Sequence, residues 1–83
     1  MTPVVVLPSL LAAEAGGRKR FEIEAATLRE ALAALPIANL IFDEAGARRA
    51  LVNVFVDGVE TRDLDTALAA DAEIRIVAAI AGG

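Results

Sequence analysis

The 83-residue sequence predicts a two-layer α+β domain, one sheet covered by one main helix. Three observations lead there. Residues Arg18 to Ala25 alternate as a half-buried strand does, with Phe21, Ile23 and Ala25 on one face and Arg20, Glu22 and Glu24 on the other. Thr27-Leu28-Arg29-Glu30 reads as a capping box, and Leu28, Ala31, Leu32 and Leu35 follow at i, i+3, i+4 and i+7, a single apolar stripe. Asp57-Gly58 separates the apolar run Leu51 to Val56 from a short return strand, Val59 to Arg62. A type I′ hairpin turn needs positive φ at both central residues, which favours that dipeptide.

The remaining elements follow in chain order. Val4 to Leu7 is β-branched and apolar, which predicts a strand covered on both faces in the interior of the sheet. Pro8 limits ladder pairing, and Leu10-Leu11 is expected to lead into a turn at Gly16-Gly17, so that the first two strands form a hairpin with a long loop. Pro36 ends the helix, because its ring disfavours helical geometry in the preceding residue. Leu40-Ile41-Phe42 is expected to be a short turn plugging the core edge, and Asp43 to Gly46 a surface loop. Asp63 to Ala72 reads as turns with Leu64 and Leu68 as core plugs. The last strand starts at Glu73, with Ile74, Ile76 and Ala78 facing the helix and Arg75, Val77 and Ala79 facing solvent.

Composition narrows the function. The chain makes one domain, residues 1–83, burying roughly 60–65% of its unfolded surface. With three phenylalanines as its only aromatics, its core must be aliphatic. A net charge of −4 argues against nucleic acid, which needs a basic face. Arg18-Lys19-Arg20 and Arg48-Arg49 are short and read as solvated loop charge. Without cysteine there is neither a disulfide nor a reactive thiol, and without histidine the commonest general base and metal ligand are gone. Ser9, the only serine, therefore lacks the base that would make it a nucleophile. Asp57, Asp63, Asp65 and Asp71 do not follow a calcium-loop spacing, so no metal is expected. Gly16-Gly17 lacks the frame of a phosphate-binding loop. No apolar stretch approaches the ~20 residues that span a bilayer, and no basic flank precedes Val4, so a cytoplasmic protein is expected.

The chain's end carries the strongest functional signal. An alternating apolar strand, Glu73 to Ile80, runs into Ala81-Gly82-Gly83. Glycines without Cβ leave a thin extended tail, about residues 79–83, and a main-chain carboxylate with nothing crowding its carbonyl carbon. Such a carboxylate suits delivery into another enzyme's active site; the plain alternative is a floppy terminus in which glycine is common.

Leu7-Pro8-Ser9-Leu10-Leu11 with Gly16-Gly17, Thr27 to Leu32, Val52 to Gly58 and Ile76 to Gly83 together resemble the β-grasp, or ubiquitin-like, sulfur carriers of the ThiS/MoaD family, most closely the small subunit of molybdopterin synthase. The resemblance implies a mixed sheet in which the first and last strands lie parallel, with the third strand beside the last. It implies a carrier rather than an enzyme. The Gly83 carboxylate is expected to be adenylated by an E1-like adenylating enzyme that uses ATP, then converted to a thiocarboxylate by a sulfur donor. Gly82 and Ala81 would let the tail thread the partner. The expected sulfur acceptor is the large subunit of molybdopterin synthase. Carriers for cysteine, thiamine or secondary-metabolite sulfur are the alternatives, as are a protein modifier joined through Gly83 to a lysine and a non-catalytic binding module. The single Lys19 leaves little for a modifier that builds chains on itself. Phe55, placed on the solvent face near Val77, reads either as a docking patch for the activating enzyme or as a ring tucked beneath its own chain.

Overall fold

The computed structural model describes residues 2–47, 49 and 52–78. The chain forms β1 (Val4–Val6), α1 (Ser9–Glu14), β2 (Arg20–Glu22), α2 (Leu28–Ala33), α3 (Ala38–Ile41), β3 (Val52–Val56), β4 (Val59–Glu60) and β5 (Glu73–Ala78). The strands make one mixed sheet in the order β2-β1-β5-β3-β4. Among the described residues only the β1–β5 pair is parallel, with Val5 opposite Ile74; β5 pairs antiparallel with β3, where Val54 lies opposite Ile76. This is the strand arrangement expected of the resemblance.

One apolar core holds the two layers together. Leu28, Ala31 and Leu32 of α2, with Leu35 just beyond it, pack with Val5, Val54, Ile74 and Ile76, all buried; α2 ends at Ala33, two residues short of the end expected from Pro36. No polar or charged residue is buried among the described residues, so burial carries no desolvation penalty there. The capping box at α2 forms with one shift. The Thr27 hydroxyl accepts from the Glu30 amide at 3.3 Å, but the Glu30 carboxylate takes the amide of Ala26 rather than that of the cap residue. Such a cap contributes about 1 kcal/mol. The Asp57-Gly58 turn has positive φ at both residues, 51° and 84°. Asp57 also ties this turn to the start of β5: its amide donates to the Glu73 carbonyl and its carboxylate accepts the Glu73 amide at 2.9 Å.

Four expectations are corrected. The stretch expected to be a plain hairpin loop contains α1, whose Leu11 and Ala12 enter the core. Ser9-Leu10-Leu11-Ala12-Ala13-Glu14 is rich in strong helix formers, and Gly16 and Gly17 at positive φ close the helix, with the Gly17 amide reaching the Ala12 carbonyl at 2.7 Å. The single covering helix is thus three short ones. Residues 40–42 belong partly to α3, which delivers the fully buried Ile41. Finally, β1 is covered on one face only. Val5 and Leu7 are buried against the helices, while Val4 and Val6 are half-buried on the open side. The helices take one face of the sheet, so a run of four apolar residues here means a partly exposed apolar face.

Candidate functional site

The open face of the sheet leads to the tail. β5 occupies the middle of the sheet and alternates, with Ile74 and Ile76 buried below and Glu73, Arg75 and Val77 exposed above. Its last described residue, Ala78, lies opposite Val52 at the start of β3. Every residue beyond it, including Ala81, Gly82 and Gly83, lies outside the described residues. What the structure fixes is the strand that precedes them: β5, as far as Ala78, is bonded to β1 on one side and β3 on the other.

Phe55 and Val77 come together near the described end of β5. Phe55 shares the open face with Asn53, as expected, and stands opposite Arg75 in register, while Val77 stands opposite Asn53. Phe55 and Val77 are thus diagonal neighbours, within reach of an aromatic ring. Phe55 is half-buried and Val77 is 42% exposed. With Gly58, Glu73 and Arg75 they line a shallow groove of about 280 Å³. The ring therefore neither stands free nor disappears into the core. A smaller depression of about 150 Å³ adjoins it, where Val6, Leu7 and Pro8 of the β1 end meet Arg75, Ile76 and Val77. The two hollows share Arg75 and Val77, so the partly exposed apolar side chains of Val6, Phe55 and Val77 gather around Arg75 on the open face.

Sequence reasoning missed Val4 and Val6. Their signal was the alternation imposed by one-sided cover, hidden because both faces of β1 are valine. No cluster of carboxylates able to hold a metal occurs among the described residues. No helix among them is long and apolar enough to cross a membrane. The charged side chains on the open face make one ion contact, Arg75 to Glu73 at 3.4 Å, with both groups about half exposed. A pair in that setting contributes little to stability.

Comparison with known proteins gives the following. The sequence model of the ThiS family matches residues 5–83. CysO from Mycobacterium tuberculosis, described as an antigen, is similar in structure with a TM-score of 0.83 and 25% identity, over 94% of this chain and 99% of that one. SAMP1 from Haloferax volcanii gives a TM-score of 0.82 at 24% identity over the whole of both chains. CysO of Amycolatopsis orientalis, solved in complex with BexX, gives 0.83 at 23% identity, covering 98% of this chain and 99% of that one. These are β-grasp, ubiquitin-like proteins, and the fold described above is theirs. No curated protein matches by sequence.

Proposed function

This chain belongs to the ThiS family of ubiquitin-like sulfur carriers and modifiers, and from that premise we propose that it carries sulfur as a thiocarboxylate on Gly83. The observation that supports the reading most is the placement of β5. The central strand of the sheet, fixed on both sides, points directly into the segment that ends Ala81-Gly82-Gly83, and the family match extends to that last residue.

A carboxylate is a poor electrophile, so the first step is activation. An E1-like partner joins the Gly83 carboxylate to the adenylyl group of ATP and releases pyrophosphate. Sulfide supplied by a sulfur donor then attacks the mixed anhydride. AMP leaves with one of the original carboxylate oxygens, and a thiocarboxylate remains. Nothing in the chain performs these steps; it presents the carbon, and the partner supplies nucleotide and metal. The acceptor we favour is the large subunit of molybdopterin synthase, into which the tail would insert. Carriage of sulfur toward cysteine, thiamine or a secondary metabolite uses the same chemistry at Gly83. A second reading, protein modification, has its own support, since Haloferax volcanii SAMP1 is named a small archaeal modifier protein.

The test is a whole-protein mass measurement. Incubated with the source organism's activating enzyme, ATP and a sulfide donor, the chain should gain the mass difference between one sulfur and one oxygen atom. An unchanged mass would overturn the reading. Adducts of higher mass joined through lysine, in place of the sulfur gain, would favour the modifier.

In this scheme Phe55 and Val77 dock the activating enzyme. Phe55→Ala should weaken loading by about tenfold, the effect of a hot-spot ring, while the thermal midpoint falls by no more than a few degrees. A melt depressed as far as that of a core variant would show instead that the ring serves the fold.

A further inference from the structure

The open face of the sheet is ordered by charge along the direction of the tail. Strand register places Arg20, Val6 and Arg75 side by side in one row across β2, β1 and β5. The neighbouring row, two residues further from the tail, is Glu22, Val4 and Glu73. Strands lie about 4.8 Å apart and alternate residues about 7 Å apart along a strand, so Arg20 and Arg75 sit about 10 Å from each other, with the two glutamates in matching positions behind them. All four are exposed, and the two valines between them are half-buried. Beyond the arginine row, toward the exit, come Val77 and Asn53, with Phe55 beside Arg75. Glu60, opposite Phe55 on the edge strand β4, is the one acid in the arginine row, and it stands at the rim. Asp57, at the β3–β4 turn, lies at the glutamate end and has its carboxylate engaged by the Glu73 amide.

An apolar strip alone would let a partner settle in either direction along the strands. Two parallel rows of opposite charge do not. We propose that this ordered pair of rows sets the direction in which the activating enzyme docks. The enzyme's matching surface carries carboxylates on the side next to its tail channel, opposite Arg20 and Arg75, and cations on the far side, opposite Glu22 and Glu73. The wrong orientation puts like charges together, which disfavours that encounter. The right one brings Gly83 to the channel mouth. The contact between Arg75 and Glu73 does not remove this polarity, because it is long and half-exposed and each group keeps room for a partner charge. The inference rests on the sulfur-carrier reading and names the chemistry of the surface that reading requires.

A charge-conserving swap tests it. In the quadruple variant R20E/E22R/E73R/R75E, net charge, composition and the apolar strip are unchanged and only the order of the rows is reversed. All four positions are exposed, so circular dichroism and the thermal midpoint should match wild type. With the source organism's purified activating enzyme, ATP and sulfide, the variant's initial loading rate at low salt should fall by about 10- to 100-fold, as expected when steering is lost. The gap should narrow as salt rises, and prolonged incubation should still load the tail, because Gly83 is untouched. The double variant R20E/R75E should lose rate with the same salt dependence. A swapped chain that loads at the wild-type rate would overturn the proposal and leave the carrier reading standing. A wild-type chain that never loads removes both.

Discussion

Adding one alanine after Gly83 should abolish sulfur loading, leaving no mass gain under conditions in which the unextended chain is loaded. The extra residue moves the carboxylate about 3.5 Å along an extended tail. A displacement of about 1 Å at reacting atoms already costs on the order of a hundredfold, because the rate depends on the carboxylate oxygen lying in line with the α-phosphate. The new terminus also carries a Cβ beside the carbonyl carbon, where the native end has none. Adding the alanine at the other end of the chain should leave loading intact, which separates the chemistry of the terminus from any effect of length. Equal rates for the C-terminally extended and native chains would remove Gly83 from its assigned role.

Replacing Ile74 with aspartate should leave the chain without a cooperative unfolding transition. Ile74 is fully buried in β5, opposite Val5 on one side and Val56 on the other. A domain of this length is stable by about 4–12 kcal/mol. Truncating such a side chain to alanine costs about 2–5 kcal/mol, and a carboxylate adds the penalty of burying a charge with no partner. Circular dichroism against temperature or urea reads the outcome. Three residues along the same strand, Val77→Asp should melt close to wild type, because that side chain is exposed. A cooperative melt for Ile74→Asp near the wild-type midpoint would mean that the β5 register is not the one described.

This contrast along one strand also shows what was legible in the sequence. Where one face is buried and the other wet, residues alternate, and the faces of β2 and β5 could be read, although β2 covers only Arg20–Glu22 of the expected stretch 18–25. The turn at Asp57-Gly58 and the α2 cap were legible for the same reason: each needs a particular side chain at a particular position. β1 defeated the reading because Val4, Val5 and Val6 are alike while their environments are not. α1 is as long as α2, six residues, but no side-chain cap announces it, and α3, of four residues, has neither a cap nor room for a helical period. They hold because Leu11, Ala12 and Ile41 are pulled into the core, a cause that lies in the tertiary structure. In the candidate site, the nearness of Phe55 and Val77 on the open face could be named from the sequence, while the tail lies outside the described residues. The charge rows could not, since Arg20 and Arg75 fall in one row, on either side of Val6, only through the β2-β1-β5 register.

The parallel pairing of β1 and β5 has a mechanical consequence. An enzyme that draws the tail into a narrow channel pulls along the axis of β5. That strand is bonded to β1 on one side and β3 on the other, so the load falls on both ladders at once, in shear. Bonds loaded together resist far more than bonds peeled open singly, as at a hairpin end. A pull along β5 would therefore meet both ladders together instead of opening one bond at a time.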